Sequence, residues 1–402
     1  MPQSQKSAAT RPASFDAVLA HAWDADVLTA TDVMSATGLT RTTAIDAIDA
    51  LVDIGLLREL PNAREAGTYR KGRPARRFEL AADAGILVGV DAGEVSVRAT
   101  VTDLRSQPLG TARLTSERDA PGKPLRITEI ERSIDQALSK AGKSRDDVLA
   151  ICVGVPAPVN SAGESPPHPE GYWGRRNPAV RETLEKWAPI VRVENDASLA
   201  AVAEGSIGAA IDCRDYLALL AGERMGAGVV VDGRLLRGAH GGVGEMVAFE
   251  HVKGVESADG IGWLLTDWAE KAIRDGNVDP DGALATMQPS EVAGQAILEL
   301  AAAGDPDAVQ ITDRAGIRLA RTLSVLATFF DPSRIILSGA IAEGLEPVLS
   351  VAREHIADDL HIPAPEIVAS ELGGDVVAKG AIARASDVAR KYVLDLRATG
   401  SE

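Results

Sequence analysis

Residues 86–103 read ILVGVDAGEVSVRATVTD, and this stretch sets the fold class. Ile86–Val90 is an unbroken apolar run of strand length, Asp91-Ala92-Gly93 has turn chemistry, and Val95–Asp103 returns as a second strand. The hairpin pattern recurs at Tyr216–Ala221, Gly226–Val231 and Arg234–Arg237. Leu149–Val155, Val191–Glu194 and Arg334–Leu337 read as buried strands, the last preceded by a long helix over Asp307–Phe329 and followed by another starting at Gly339. Two hairpin halves, each followed by helices, predict a duplicated α/β domain with a cleft between two lobes.

Upstream of residue 82 the pattern is different. Phe15 to Trp23 is a short helix with Phe15, Val18, Leu19 and Ala22 on one face. Thr29 or Thr31 caps a second helix through Ala36, and Gly38 ends it. Thr40 caps a third helix, whose apolar face is Ile45, Ile48, Leu51 and Val52 and which stops at Gly55 before the strand Leu56–Leu60. Helix, helix, short glycine turn, helix, strand and basic hairpin make a winged helix-turn-helix. The first turn of the third helix would enter the major groove of double-stranded DNA, so Thr40, Arg41, Thr42 and Thr43 are expected DNA-binding residues. Arginine can read guanine, threonine can meet phosphate or a thymine methyl, and a helix N-terminus favours phosphate. Asp46 and Asp49 suit phosphates poorly; they point away, or Asp46 accepts from a cytosine amine. In the wing, Tyr69–Arg77, Gly72 allows close backbone approach, Pro74 stiffens the chain, and Arg73 suits a narrow minor groove. Lys71, Gly72 and Arg73 complete the expected set. A solvated basic linker would have the same composition, but the position after a helix-turn-helix pattern favours DNA.

Charge follows the same division. The chain of 402 residues carries a net charge of −16, which argues against nucleic acid until its distribution is considered. Residues 1–80 balance 10 Lys/Arg against 10 Asp/Glu, and the remainder carries the whole deficit. Arg58 to Arg77 holds seven bases and only two acids, Glu59 and Glu65. A basic segment on an acidic body binds phosphates locally while the body repels them. No apolar run reaches the roughly 18–20 residues that span a bilayer, and the polar start MPQSQKSAATRPAS has no signal-peptide core, so a cytoplasmic protein with no membrane partner is expected. Cys152 and Cys213 are too few for a disulfide framework or a four-cysteine zinc site.

Several segments, in their order and spacing, resemble the ROK family (repressors, open reading frames and sugar kinases): VGVDAGEVSVRATVTDL, ICVGVPAPV, VRVENDASLAAVAE, GRLLRGAHGGVGEM, FDPSRIILSGAIAEG and GAIARA. The resemblance runs over about residues 14 to 392 and is to the transcriptional-repressor branch with its N-terminal winged helix. It implies a two-lobed, actin-like sugar-kinase fold and a homodimer or homotetramer. Against the family's kinases this chain departs in three places. Their first phosphate loop has Gly then Thr after Asp-x-Gly, where this chain has Glu94 and Val95. Their second loop, Gly-Thr-Gly-Ile-Gly, is here Gly222-Glu223-Arg224-Met225-Gly226. Two carboxylates at about 4 Å repel by roughly 4 kcal/mol at an effective dielectric of about 20, which Arg224 would offset by pairing with Glu94 or Glu223. The zinc motif Gly-Glu-x-Gly-His and its cysteine loop become Gly244-Glu245-Met246-Val247-Ala248 with no cysteine following; His251 stands alone, so no metal is expected.

The implied sugar site is retained in part. Asn195 and Asp196 match the family's Asn-Asp pair, in which the Asp is the kinases' general base, and Glu245 matches a carboxylate that accepts from ring hydroxyls. Ala248 replaces a sugar-binding His, Leu265 stands where a later glutamate is expected, and only His168 and Glu170 lie where an asparagine is expected before Trp173. Helix capping is the competing reading of Asn195 and Asp196. The sequence thus predicts a disordered tail over 1–13, a winged helix-turn-helix over 14–82, a ROK-like effector-binding and oligomerisation domain over 83–393, and a C-terminal tail over 394–402. The expected function is a DNA-binding repressor of carbohydrate uptake or catabolism genes, without catalytic residues, metal or cofactor, gated by a small carbohydrate-like effector at Asn195, Asp196 and Glu245. An ATP-dependent sugar kinase with a fused DNA-binding arm and an effector-independent regulator are the alternatives.

Overall fold

The computed structural model describes residues 12–61, 75–116, 126–356 and 360–399. Three helices, α1 (Ala13–Asp24), α2 (Ala30–Thr37) and α3 (Arg41–Asp53), precede an antiparallel pair, β1 (Leu57–Leu60) and β2 (Arg77–Leu80). Val18, Leu19 and Ala22 of α1, Val33 of α2, Ile48 and Leu51 of α3, and Phe78 and Leu80 close a core between them. Ile45 and Val52 are only half-buried, and Ala44 and Ala47 take the interior positions instead. Alanine on that face lets α1 pack close against α3.

Two five-stranded sheets follow. The first uses β3 (Ile86–Ala92), β4 (Ser96–Asp103), β5 (Pro108–Thr115), β6 (Val148–Val155) and β7 (Ile190–Asn195) in the order β5-β4-β3-β6-β7. Helix α4 (Arg126–Ala141) covers β4 and β5, and the short helices α5 (Tyr172–Arg176) and α6 (Val180–Leu184) lead into β7. After α7 (Asp196–Ile207), the second sheet uses β8 (Tyr216–Leu220), β9 (Gly226–Val231), β10 (Arg234–Leu236), β11 (Arg334–Ser338) and β12 (Glu366–Ala369) in the order β10-β9-β8-β11-β12. Helices α8 (Ile261–Asp275), α9 (Gly294–Ala302), α10 (Pro306–Phe330) and α11 (Glu346–His355) belong to this second lobe, and α12 (Val376–Thr399) ends the chain. Each sheet runs third, second, first, fourth, fifth in chain order, with an antiparallel meander on one side and parallel strands on the other. This repeated topology is the duplication expected from the two hairpin halves.

Two helices join the lobes. α7 leaves the first sheet and packs on β8 and β9 of the second; α12 leaves the second and packs on β3 and β6 of the first. They meet at Gly380, where a Cβ would strike the backbone of Leu199, so only glycine permits the approach. α12 continues through 394–399, where a tail is expected; Val393 and Leu394 are buried. They are buried because the far half of α12 carries the N-terminal helices. Trp23 Nε1 donates to Ser386 Oγ at 3.2 Å, and Arg390 donates to both Asp24 oxygens at 2.8 and 2.7 Å and to the Ala20 carbonyl at 2.8 Å. One apolar cluster therefore runs from α1–α3 through α12 to α7. Among the described residues no helix is long and apolar enough to cross a membrane.

Candidate functional site

Two helix N-termini gather the residues singled out from the sequence. At α3, Thr40 has extended backbone and its Oγ1 accepts from Thr43 N at 3.3 Å, while the two hydroxyls lie 2.9 Å apart. Thr40, Arg41 and Thr42 are exposed and Thr43 is half-buried, so the first turn faces solvent. The preceding helix, α2, opens with a capping box: Thr29 N donates to Asp32 Oδ2 at 2.8 Å and Asp32 N to Thr29 Oγ1 at 3.3 Å, which selects Thr29 over Thr31. Gly38 (φ 71°) adopts the left-handed conformation that ends α2 and turns the chain into α3.

The neighbouring charges are organised by long-range pairs. Arg76 donates to Glu59 through Nε and Nη2 at 2.9 and 2.7 Å and to Asp49 Oδ1 at 2.8 Å. Those bonds hold the Glu59 carboxyl below its ordinary pKa. Asp49 is thereby drawn to Arg76. Arg58 is likewise paired, with Asp83 at 2.5 Å. Two of the seven bases between Arg58 and Arg77 thus neutralise carboxylates of the chain itself. Lys71, Gly72 and Arg73 lie outside the described residues.

At α7 the arrangement is acidic. Asn195 ends β7 and caps α7: its Oδ1 accepts from Ser198 N at 2.9 Å, and its Nδ2 donates to the Ala157 carbonyl at 3.2 Å and to Asp196 Oδ1 at 3.1 Å. Capping is therefore one role of Asn195. Asp196 Oδ1 also accepts from Ala197 N at 2.8 Å. Burial pushes the Asp196 carboxyl up to about 7, opposed by the Ala197 N–H and reinforced by the charges of Asp91 and Glu245. Asp91, at the carboxyl end of β3, is itself pushed up to about 6 by burial, opposed by Arg126, Arg98 and Arg113. Glu245 comes from the second lobe, on a loop anchored where Ala227 N donates to the Gly244 carbonyl at 3.1 Å and Gly226 bridges Glu245. Gly244 (φ 88°) is required there, since a Cβ would strike the Ala227 carbonyl. Burial raises the Glu245 pKa and the Arg224 guanidinium opposes it. The structure thus brings Asn195, Asp196 and Glu245 together and adds Asp91. From the sequence, Asp91 is placed in a turn and in the Asp-x-Gly before the first phosphate loop, not in the sugar site; its signal is its position at the end of an apolar strand.

The phosphate-loop positions are occupied by internal bonds. Glu94 accepts from Tyr172 Oη at 3.0 Å and pairs with Arg176 at 2.5 Å, so its charge is compensated from α5 rather than by Arg224. Arg176 also lies over the Tyr172 ring, 5.0 Å from its centroid. In the second loop, the carbonyls of Ala221, Gly222 and Glu223 accept from Gly262 N, Trp263 N and Gly260 N at 3.1, 3.0 and 2.9 Å. The N–H groups of Gly260, Gly262 and Trp263 at the start of α8 are thereby occupied. Leu265 is buried in the core of the second lobe and does not stand in for a cleft glutamate. His168 packs edge-on to Trp173, centroids 5.4 Å apart, and accepts from Glu170 N at 3.2 Å. No group of three or more His, Cys, Asp or Glu that could hold a metal ion occurs among the described residues.

A family model described as the ROK family matches residues 87–388. The chain is 25% identical over 331 residues to the glucokinase of Streptomyces coelicolor, covering 76% of this chain and 98% of the glucokinase. It is 24% identical over 303 residues to the DNA-binding transcriptional dual regulator NagC of Escherichia coli, covering 73% of this chain and 72% of NagC. Among solved structures, a ROK family transcriptional regulator, a homologue of the Escherichia coli Mlc protein, superposes with a TM-score of 0.74 at 20% identity, over 96% of this chain and 98% of that one. A match of that extent includes the helices α1–α3 as well as the two lobes.

Proposed function

The chain belongs to the ROK family, and on that premise we propose that it is a DNA-binding transcriptional regulator whose two-lobed body senses a carbohydrate-like effector. The observation that carries this reading is the module α1–α3 with β1 and β2. It presents an exposed, Thr40-capped helix start bearing Arg41 and Thr42, and it shares one apolar core with the body through α12. In this reading the module is a winged helix-turn-helix. The first turn of α3 enters the major groove, and Lys71, Gly72 and Arg73 belong to a wing on the adjacent backbone or minor groove. The likeness to a solved ROK regulator over 96% of the chain supports the assignment.

The effector sits between the lobes, held by Asn195, Asp196 and Glu245, with Asp91 as a fourth polar group. Carboxylates and amides suit neighbouring hydroxyls, while a polyphosphate would meet the acidic end of the cleft and the occupied N–H groups of α8. Closing the lobes moves α7 against α12, and α12 carries the DNA-binding module. The regulator acts as a cytoplasmic homodimer or homotetramer on a two-fold symmetric operator of sugar uptake or catabolism genes, most simply as a repressor. DNA affinity measured with and without a panel of free sugars tests this reading.

A second reading has its own support. An aspartate with a pKa of about 7, at the place of a kinase general base, suits proton abstraction, and the glucokinase relative spans the same body. A coupled assay for ATP-dependent hexose phosphorylation separates the two. Turnover supports the kinase, and its absence together with operator binding supports the regulator.

A further inference from the structure

Beside the cleft, on the alternate face of β7, lies a recess of about 90 Å³ lined by Arg181, Arg192, Glu194, Arg237 and Arg384 and by the loop around Asn160 and Gly163. It draws on both lobes and on α12. Glu194 is 5% exposed and is the carboxylate at its centre. It accepts from Arg237 Nε and Nη2 at 2.8 and 2.9 Å and from Arg384 Nε at 3.0 Å, so one negative charge answers two positive ones. Arg181 is engaged by Glu185 at 2.7 Å and the Ala162 carbonyl at 2.7 Å. Arg192 donates to the Val191 carbonyl at 2.9 Å, lies 5.9 Å from the Tyr392 ring centroid, and has no carboxylate partner among the described residues. Asp387 on α12 feels Arg384 but does not line the recess.

In a chain with a net charge of −16, a half-buried cationic excess is out of character. Holding like charges out of water costs free energy unless a counter-charge joins them. Arg237 Nη1 and the terminal nitrogens of Arg384 have no partner among the described residues, and guanidinium forks match the oxygens of a tetrahedral oxyanion. The recess is far smaller than the roughly 300–1,000 Å³ of pockets that enclose drug-sized ligands, so it fits a single anionic group and not a sugar ring. We propose that this recess binds a phosphate-class oxyanion, as free phosphate or as the phosphoryl end of a larger ligand, and that Arg192 is its principal unshared contact. The site is separate from the Asn195–Asp196–Glu245 cleft and does not depend on the effector reading of that cleft.

Thermal unfolding of the full chain in potassium phosphate, against potassium chloride of equal ionic strength, tests the proposal. Phosphate is expected to raise the midpoint in a saturable way. Arg192→Gln weakens the apparent affinity by about tenfold or more, the effect of losing one charge-assisted contact. Arg214→Gln, which removes an exposed arginine elsewhere, leaves it unchanged. Arg181→Gln, at the solvent-exposed rim, gives a smaller loss and keeps the test intact if Arg192→Gln does not fold. Glucose 6-phosphate in place of phosphate, losing its effect in the same variants, supports the phosphoryl end of a larger ligand as the occupant. No response beyond chloride, or equal responses in Arg192→Gln and Arg214→Gln, overturns the proposal. So does a glucose 6-phosphate response that survives Arg192→Gln, because that ligand then lies elsewhere.

Discussion

The N-terminal turns of α3 and α7 are built alike and furnished oppositely. Each begins with a polar cap in extended conformation, Thr40 or Asn195, that accepts from the third residue beyond it. Each therefore directs the same positive end of a helix outward. Around α3 the first turn is exposed and carries Arg41, while the nearby Asp49 is held by Arg76. Around α7 the first turn carries Asp196 and faces Asp91 and Glu245, with Asp196 pushed up to about 7. The backbone supplies the same field in both places, and the side chains decide its partner. A phosphate suits the first; a neutral ligand rich in hydroxyls suits the second.

The comparison breaks most sharply at Asp196. Asp196→Ala is expected to abolish the effect of any sugar on DNA affinity while leaving affinity without sugar near wild type, read by fluorescence anisotropy. If the response persists at the wild-type sugar concentration, the α7 cleft is not the effector site. If the variant unfolds, Asp196 serves mainly to hold the helix start.

At the other helix, Arg41→Ala should weaken binding to a specific site by about 1–3 kcal/mol with a smaller loss on random DNA. Equal losses on both would reduce Arg41 to a general phosphate contact.

The acidity of the α7 turn sharpens the contrast through pH. A carboxyl whose pKa is raised by folding binds its proton more tightly in the folded chain than in the unfolded one. Stability therefore falls as pH rises from the ordinary Asp value of about 3.9 to the folded value, which burial of Asp196 pushes up to about 7. Asp196→Asn removes the ionisation and keeps the acceptor for Ala197 N. It should stabilise the chain by about 1–2 kcal/mol at pH 8 relative to pH 5, seen as a pH-dependent gain in unfolding temperature. A gain independent of pH would contradict the shifted carboxyl. The smallest effect belongs to the cap itself: Thr40→Ala should cost about 0.5–1 kcal/mol of stability, because one orphan N–H loses its acceptor.

What the sequence made legible was local. Gly226–Val231 has its expected bounds, and α10 differs from the expected Asp307–Phe329 by one residue at each end, because strand alternation and a long helical period are written in neighbouring residues. Thr40 and Gly38 also act where capping chemistry places them. β5 and β12 escaped because each buries little: only Ala112 in β5 and Ile367 in β12 are fully inside. The helix expected from Gly339 is a short 3-10 turn over Ala340–Ala342, with α11 starting only at Glu346. The site was half legible. Asn195, Asp196 and Glu245 stand in recognisable motifs, but Asp91 joins them only across strands. The pairs Glu94–Arg176 and Asp49–Arg76 join residues 82 and 27 apart, a distance no local pattern spans.

The most direct test of the account is a selection of genomic DNA fragments by the purified full chain, run in parallel with Arg41→Ala and Asp196→Ala. The account predicts that wild type and Asp196→Ala enrich the same two-fold symmetric sequence and that Arg41→Ala loses or relaxes it at one base position in each half. Enrichment of no sequence by the wild-type chain, or the same enrichment by all three, would contradict a helix start at α3 that reads DNA and a separate one at α7 that does not.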